Sequence, residues 1–337
     1  MPFTKELKAL SDAFHERGIE CRWNEPMAGH TSFRIGGMAT LVAWPAGQSQ
    51  IITVLNLWRE LGGKCPIAVL GRASNVLIPD RGFHGLIVLT TRAKRVVFAE
   101  DEAVDKDAFR LENKFTCQVF AECGASLALL SQSCAKDERG LSGLEFACGI
   151  PGTVGGATVM NAGAYGGDMQ SILLASEYYD LTNGYTVTLR SEEMDLDYRH
   201  SIYLDHPEWI VLNSVMLLNY GSAPDIRARM EFNTQNRRDK QPYELPSAGS
   251  VFKRPVDNFA GRMVETVGMK GACVGGAQVS EKHAGFIVNR GGATAADVME
   301  LVHRVQDAVE ALYHYRLECE IQIVDDGLDP NGPLMWD

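Results

Sequence analysis

A cluster of cationic residues surrounds one serine in the second half of the chain. Residues 237–255 read RRDKQPYELPSAGSVFKRP, with Ser250 between two groups of positive charge. The cations are Arg237, Arg238, Lys240, Lys253 and Arg254. Prolines interrupt the segment, so it does not form one regular charged helix face. Guanidinium and ammonium groups beside an exposed hydroxyl suit an anionic substrate, although a solvated basic surface is the alternative explanation.

A glycine-rich run precedes the cationic cluster. Residues 147–169, ACGIPGTVGGATVMNAGAYGGDM, contain seven glycines in 23 residues, and Asp168 is the only formal charge. A flexible linker would carry polar residues between its glycines, whereas this run carries Ile150, Val154 and Val159. Backbone N–H groups in turns bind phosphate through oriented dipoles, without cationic side chains. The run therefore either packs tightly against another segment or cradles an anionic ligand such as a diphosphate.

A second loop with possible phosphate donors spans residues 70–85, LGRASNVLIPDRGFHG. Ser74 and Asn75 directly follow a predicted strand, which suits either an ordinary turn or a phosphate-binding loop. No two glycines in the chain are separated by a single residue, so the dinucleotide fingerprint GxGxxG and the kinase glycine loop are absent. The motif GxxxxGK[ST] is absent as well. A nucleotide would therefore be bound in another way.

Two further charged residues have no distinctive pattern of their own. Glu320 belongs to LECEIQIV, residues 317–324, whose alternation predicts a strand with Glu318 and Glu320 on its polar face. Solvent exposure is the simplest interpretation of that pattern. Arg199 in LDYRHS is equally unremarkable when it is considered alone.

Apolar periodicity predicts a mixture of helices and strands around these residues. Helices are predicted over residues 5–16, 48–63, 126–140, 226–242 and 294–316. The last begins with a capping box of Thr294 and Asp297. Its apolar stripe consists of Val298, Leu301, Val302, Val305, Val309 and Leu312. Strands are predicted within 28–45, 66–71, 71–89, 117–126 and 172–220, with a polar loop or hairpin over 101–114 and a loose segment over 325–337.

The composition excludes several classes of protein. A chain of 337 residues with 45% hydrophobic and 22% charged residues is an ordinary globular protein of two or three domains. A formal net charge of −11 argues against a general nucleic-acid binder. No segment approaches the roughly 20 apolar residues of a membrane span, and no secretory signal is recognisable. The eight cysteines form no CxxC pair, so we expect reduced thiols, no metal site and a cytoplasmic location.

Taken together, these segments resemble the UDP-N-acetylenolpyruvoylglucosamine reductase family over residues 31–324. Members of that family use FAD to complete UDP-N-acetylmuramate for bacterial peptidoglycan. The longer blocks are very specific. The markers are HTSFRIGG (30–37), LGRASNVLI (70–78), GLEFACGIPGTVGGATVMNAGAYG (143–166), DYRHS (197–201), RRDKQP (237–242), SAGSVFKRP (247–255), GGAQVSEKHAGFIVN (275–289) and LECEIQIV (317–324).

The resemblance implies an α+β fold with a two-part FAD-binding unit of the vanillyl-alcohol-oxidase type and a C-terminal α/β substrate-binding domain. The expected boundaries are 1–95 and 96–220 for the two FAD-binding parts, 221–326 for the substrate-binding domain and 327–337 for the tail. The flavin is expected to be non-covalent, with its diphosphate on backbone amides. The implied FAD contacts are Gly71, Ser74, Asn75, Gly152, Thr153, Gly155, Gly156, Asn161, Gly163 and Ala164.

The resemblance also implies a reaction in two halves. NADPH reduces the flavin and leaves, and the enolpyruvyl UDP-sugar then binds in the same channel. Hydride passes to the vinyl carbon distal to the carboxylate, and Ser250 protonates the adjacent carbon. Arg199 and Glu320 are expected to stabilise the charge that spreads into the carboxylate. Lys240, Arg254 and His283 are the expected substrate contacts, and a monomer or weak homo-oligomer is expected.

The chain departs from the family pattern at two places. Ala73 stands where many relatives have glycine, and alanine would be strained there if the backbone needs a positive φ. Residues 221–236 leave little room for the tyrosine lid loop of one subtype, so the chain resembles the shorter subtype. Two alternatives remain: another FAD oxidoreductase of the same superfamily acting on sugars or alcohols, and a non-enzymatic flavin- or sugar-nucleotide-binding regulator. The presence of both Ser250 and Glu320 favours the reductase.

Overall fold

The computed structural model describes residues 3–99, 116–136 and 140–328. The loop or hairpin expected over 101–114 and all but the first two residues of the expected tail lie outside the described residues. The helices are α1 Thr4–Glu16, α2 Gln48–Leu57, α3 Leu127–Cys134, α4 Val154–Val159, α5 Ile202–Asp205, α6 Ala223–Lys240, α7 Ala260–Thr266 and α8 Ala295–Tyr313.

The strands of the described residues fall into three larger sheets and two small pairs. They are β1 Glu20–Pro26, β2 Met38–Trp44, β3 Ile67–Leu70, β4 Val76–Leu77, β5 Phe83–Leu89, β6 Val96–Phe98, β7 Thr116–Glu122, β8 Leu141–Ser142, β9 Gly163–Ala164, β10 Gly167–Asp168, β11 Leu173–Asp180, β12 Thr186–Arg190, β13 Trp209–Tyr220, β14 Ser247–Ser250, β15 Cys273–Val274, β16 Ala277–Val279, β17 Phe286–Asn289 and β18 Gln322–Ile323.

The first sheet has the order β1-β2-β5-β3. The strand β1 is antiparallel to β2, whereas β2 and β3 both run parallel to β5. The amphipathic helix α1 buries Leu7, Leu10 and Phe14 against Leu41 of β2 and Val54 of α2. Burial of this stripe holds the helix on the sheet. The strands predicted within 28–45, 66–71 and 71–89 are confirmed, as is the helix predicted from residue 48.

The second sheet is built around the long strand β13. Its order is β12-β11-β13-β7-β6, and β8 pairs with the end of β13. Met216 and Leu218 of β13 are fully buried and join Val119 of β7 and Val154 of α4 in one apolar cluster. The sheet expected from the apolar clusters between residues 172 and 220 is confirmed, and it supports the glycine-rich run from behind.

The third sheet, β14-β17-β16-β15, is antiparallel and packs against α8. The predicted capping box is confirmed, because Thr294 Oγ1 accepts from the Asp297 amide while Asp297 Oδ2 accepts from the Thr294 amide. Five residues of the predicted stripe are buried. Leu312 was assigned wrongly to it and is 56% exposed, because it lies in the last turn of α8.

Three local predictions differ from the structure. The segment 317–324 is not a continuous strand: Cys319 forms an isolated bridge with Phe252, and only β18 pairs regularly, in parallel with β4. Its buried positions, Leu317 and Ile321, are as expected. The helix α3 ends at Cys134 rather than Gly140, and the glycine-rich run contains the short helix α4. The segment 317–324 pairs first with Phe252 and then with β4, so it has no single neighbouring strand, which explains its interrupted pairing.

The C-terminal segment ties the third sheet back to the first part of the molecule. Besides the pairing of β18 with β4, Arg81 forms ion pairs with Asp325 at 2.5 Å and with Asp326 at 2.9 Å. The three larger sheets take their strands from residues 20–89, 96–220 and 247–289, and the expected boundaries at 95 and 220 fall between them. Among the described helices, none has the length and apolar character required to cross a bilayer.

Candidate functional site

The two loops singled out in the sequence lie against each other. Ser74 Oγ donates to the carbonyl of Pro151 at 2.7 Å. A methyl group added at Gly71 would overlap the hydroxyl of Thr153, so only glycine allows this close approach. The amide of Val154 also donates to the Ala125 carbonyl at 2.8 Å. The loops around residues 71–75, 124–126 and 151–154 therefore form one continuous wall.

This wall borders a cavity of about 670 Å³. A volume of several hundred Å³ lies in the usual range for small-molecule and cofactor sites. Its lining includes His30, Trp44, Gly71, Ser74, Leu129 and Pro151. Arg72 and Lys94 also line it, which sequence reasoning missed although Arg72 stands inside the quoted loop. Backbone amides, two cations and apolar side chains together fit a nucleotide cofactor with a diphosphate.

The glycines of the glycine-rich run differ in their structural roles. Thr153 is the N-cap of α4, and its Oγ1 accepts from the Gly156 amide at 3.4 Å. The Gly155 amide donates to the Cys123 carbonyl at 2.8 Å, and a methyl group at Gly155 would overlap the Cys123 side chain. Gly155 is thus a close-packing position whose N–H is already paired. Gly152, with φ +156°, lies at the wall beside Ser74.

The side chains of two expected FAD contacts, Asn75 and Asn161, donate to backbone carbonyls of other segments. Asn75 Nδ2 donates to the Glu320 carbonyl at 3.0 Å. Asn161 Nδ2 donates to the Asp197 carbonyl at 2.7 Å, and its Oδ1 accepts from the Gln170 amide at 2.9 Å. These side-chain amides hold other segments of the site, and direct contact of the two residues with FAD stays a prediction.

Arg199 and Glu320 form a largely buried ion pair. Arg199 Nε lies 2.8 Å from Glu320 Oε1, and their side chains are only 20% and 13% exposed. Arg199 Nη2 also donates to the Gly163 carbonyl of β9 at 2.9 Å. The solvent-exposed interpretation of Glu320 is therefore wrong, whereas Glu318 is exposed as expected. Two residues that sequence patterns could not distinguish from surface charges thus meet in one site.

Burial controls the ionisation of Glu320. Loss of solvent raises the pKa of the Glu320 carboxyl, and the Arg199 guanidinium together with Lys253 only partly opposes that rise. A carboxyl with a raised pKa retains or shares a proton more readily near neutral pH. Perturbed carboxyl groups of this kind cluster at functional sites.

Ser250 lies beside this pair through backbone pairing. The Glu320 amide donates to the Val251 carbonyl at 2.7 Å, and the Lys253 amide donates to the Glu318 carbonyl at 2.9 Å. Gly249 has φ +81°, and the register of β14 against β17 shifts between Ser247 and Ser250. Within the part of the chain that the structure describes, the Ser250 hydroxyl forms no hydrogen bond with protein. It is therefore available to a ligand.

The three expected substrate contacts lie in different surroundings. Lys240 is the exposed last residue of α6. Arg254 is exposed, its guanidinium lies 4.1 Å from the centroid of the Phe259 ring, and its amide donates to the Tyr198 hydroxyl at 3.2 Å. The structure connects Arg254 to the segment that carries Arg199.

His283 lies just before β17 of the third sheet. Its Nδ1 accepts from the Gly285 amide at 3.1 Å, and its ring meets Phe286 edge-on at 5.0 Å. Burial lowers the pKa of His283, which favours the neutral ring that this hydrogen bond requires. These contacts indicate a packing role, so His283 has less support as a substrate contact than Arg254.

Ala73 adopts the left-handed backbone that its position suggested. Its φ is +46°, which costs a residue with a Cβ about 1–2 kcal/mol. We expect Ala73→Gly to change the stability by less than about 1 kcal/mol, because relief of this strain offsets two losses: one buried methyl group, about 0.8 kcal/mol, and the backbone entropy of glycine, roughly 0.5–1 kcal/mol. Ala228→Gly, at an exposed helical position of α6, should instead destabilise it by about 1 kcal/mol. Urea unfolding with saturating FAD measures the stability of both variants. A loss in Ala73→Gly larger than that in Ala228→Gly would show that the backbone at residue 73 is unstrained.

Comparison with known proteins defines the family. A model of the C-terminal domain of UDP-N-acetylenolpyruvoylglucosamine reductase matches residues 241–324, and a model of an FAD-binding domain matches residues 39–190. The enzyme of that name from Caldanaerobacter subterraneus is 40% identical over 301 residues, covering 89% of this chain and 92% of its own. This chain belongs to the UDP-N-acetylenolpyruvoylglucosamine reductase family.

Other members of the reductase family extend the match. The enzyme from Syntrophomonas wolfei is 43% identical over 304 residues, which is 89% of this chain and 94% of its own. The crystal structure of the reductase from Thermus caldophilus matches with a TM-score of 0.69 and 31% identity, covering 90% of this chain and 98% of that one. The resemblance drawn from sequence blocks is confirmed, as is the α+β fold with an FAD-binding unit followed by a C-terminal domain.

Proposed function

We propose that this protein reduces UDP-N-acetylglucosamine enolpyruvate to UDP-N-acetylmuramate, with NADPH as the source of electrons. The buried Arg199–Glu320 pair beside the free Ser250 hydroxyl supports this reaction most directly. Bound FAD supplies hydride transfer between the two substrates. The remaining chemistry concerns charge on the substrate and one proton, and both fall to side chains of this chain.

Arg199 and Glu320 are proposed to bind the enolpyruvyl carboxylate. Addition of hydride to the distal vinyl carbon places negative charge on the adjacent carbon and on that carboxylate. A guanidinium and a proton-sharing carboxyl in a water-poor site stabilise such charge. The raised pKa of Glu320 supports this role, because an ionised carboxylate would repel the anion.

Ser250 is proposed to deliver the proton that completes the reduction. A serine hydroxyl is a weak acid, but a carbanion-like centre is a strong base, so transfer over a hydrogen-bond distance is feasible. Lys240 and Arg254 are proposed to bind the diphosphate of the sugar nucleotide. For the cofactor, the candidates are the backbone at Gly71 and Gly152 and the Ser74 hydroxyl, which donates to Pro151 and can still accept a hydrogen bond.

Purification with a visible spectrum and an NADPH assay tests this function. We expect a yellow protein that carries FAD, releases it on denaturation, and consumes NADPH much faster when the enolpyruvyl sugar nucleotide is added. A colourless protein that takes up no FAD, or NADPH consumption that is indifferent to the sugar nucleotide, would contradict the proposal. Binding of FAD and sugar nucleotide without turnover would instead favour a regulator.

A further inference from the structure

The two halves of the Arg199–Glu320 pair come from segments 121 residues apart in the chain. One asparagine side chain connects each half of the pair to a different loop of the site. Asn161 connects the glycine-rich run to the segment carrying Arg199, and Asn75 connects the loop after β3 to Glu320. The geometry of the pair therefore depends on both loops.

Asn161 holds the turn on which Arg199 stands. It is 2% exposed, and its Nδ2 donates to the Asp197 carbonyl while its Oδ1 accepts from the Gln170 amide. Asp197 and His200 form a bridge that closes a tight turn, in which Arg199 has φ +53°. A non-glycine residue in this conformation needs support from its surroundings. Asn161 supplies one of three described bonds from the run to this turn. The other two join Ser201 Oγ to the Val159 carbonyl at 2.6 Å and Arg199 Nη2 to the Gly163 carbonyl at 2.9 Å.

Asn75 holds the backbone of Glu320 in a similar way. Its Nδ2 donates to the Glu320 carbonyl, and its own carbonyl accepts from the Gln322 amide at 3.0 Å. On the other side of the same residue, the Glu320 amide is bound to the Val251 carbonyl. Glu320 is thus fixed between the cofactor wall and the strand that carries Ser250.

We propose that Asn161 and Asn75 are positioning residues that set the geometry of the Arg199–Glu320 pair from the two FAD-binding loops. The proposal rests on the proposed function for its effect on turnover, but not for its effect on the pair itself. Both side-chain amides donate to the backbone near the pair, at Asp197 and at Glu320. Loss of either bond should therefore impair the half-reaction that uses the pair and spare the one that does not.

Asn161→Asp tests this with little change of shape. Aspartate tolerates a positive φ, which residue 161 has at +39°, and it can still accept from the Gln170 amide. It cannot donate to the Asp197 carbonyl. We expect unchanged FAD content and NADPH-driven bleaching of the flavin within about twofold, with reduction of the enolpyruvyl substrate slowed by roughly 10²-fold, the effect of misplacing a group by about 1 Å. The loss should appear in kcat rather than in KM.

A second readout does not depend on activity. Titration of the Glu320 carboxyl, followed by carbon-13 NMR of the labelled side chain, should show a higher pKa in Asn161→Gly than in the unmodified protein, because Arg199 no longer lies close to it. Glycine suits the positive φ and introduces no charge, so this variant separates positioning from the electrostatic effect of aspartate. Asn75→Ala should also change the pKa of Glu320, because it releases the backbone of Glu320 itself.

Asn233→Asp is the matched control. Asn233 is also buried and donates to a backbone carbonyl, that of Glu145, at 3.0 Å, but it supports α6 rather than the pair. We expect Asn233→Asp to keep the rates of both half-reactions and the pKa of Glu320 unchanged. The proposal would be overturned if the pKa of Glu320 were unchanged in Asn161→Gly, or if Asn161→Asp slowed both half-reactions equally. If the pKa of Glu320 rises in Asn161→Gly but the unmodified protein never reduces the enolpyruvyl substrate, the positioning role holds and the proposed function is rejected.

Discussion

Ser250→Ala is expected to retain reduction of the flavin by NADPH and to slow reduction of the enolpyruvyl substrate by about 10²–10⁴-fold, the usual contribution of a positioned general acid. The first half-reaction moves hydride only and needs no proton from serine. The second leaves a carbanion-like centre that must be protonated. Rapid mixing of oxidised protein with NADPH, and of reduced protein with the sugar nucleotide, separates the two rates.

The control for this variant is Ser222→Ala. Ser222 precedes α6, is exposed, and makes no side-chain capping bond, so its loss should leave both half-reactions unchanged. Equal losses of both half-reactions in Ser250→Ala would assign Ser250 a structural role, since β14 pairs with β17 at this residue. Deuterium incorporation into the product at the carbon next to the carboxylate provides an independent check of proton delivery at this position.

Glu320→Gln should slow the same half-reaction by about 10²–10³-fold, the range seen when one group that stabilises a developing anion is removed. Glutamine has nearly the same shape and retains hydrogen-bonding groups for Arg199, but it cannot share a proton with the substrate carboxylate. NADPH-driven bleaching should remain near normal. Near-normal turnover would show that hydrogen bonding alone is sufficient and that no proton is shared.

The pH dependence of this step follows from the raised pKa of Glu320. The protonated carboxyl is the active form, so the rate should be highest below that pKa and should fall as pH rises through it. Glu320→Gln should lack this fall in its residual rate. Glu318→Gln is the matched control: it lies two residues away with a side chain 66% exposed, and it should retain both the rate and the pH profile.

The sequence identified the parts of the site but not how they are joined. Spacing and composition singled out the glycine-rich run and the cationic segment around Ser250, and periodicity predicted the capping box of α8. Such features are local, so a single sequence reveals them. The contact of Gly71 with Thr153 joins residues 82 apart in the chain, and no local pattern encodes it.

The Arg199–Glu320 pair illustrates the same limit more sharply. Taken alone, Arg199 and Glu320 resembled surface charges, and only the family resemblance assigned them a role. Their burial depends on long-range backbone pairing, such as that between Glu320 and Val251. For Asn75 and Asn161 the sequence could not show the backbone bonds that their side chains form, because an asparagine in such a loop suits phosphate binding and backbone bracing equally well.

The central claim is that the protein passes electrons from NADPH to an enolpyruvyl sugar nucleotide. The most direct measurement is a single anaerobic turnover, in which protein reduced by one equivalent of NADPH is mixed with UDP-N-acetylglucosamine enolpyruvate. We predict rapid return of the flavin absorbance and formation of one UDP-N-acetylmuramate per flavin. A flavin that stays reduced in the presence of the sugar nucleotide and is reoxidised only when oxygen is admitted would contradict the account and would identify an oxidase.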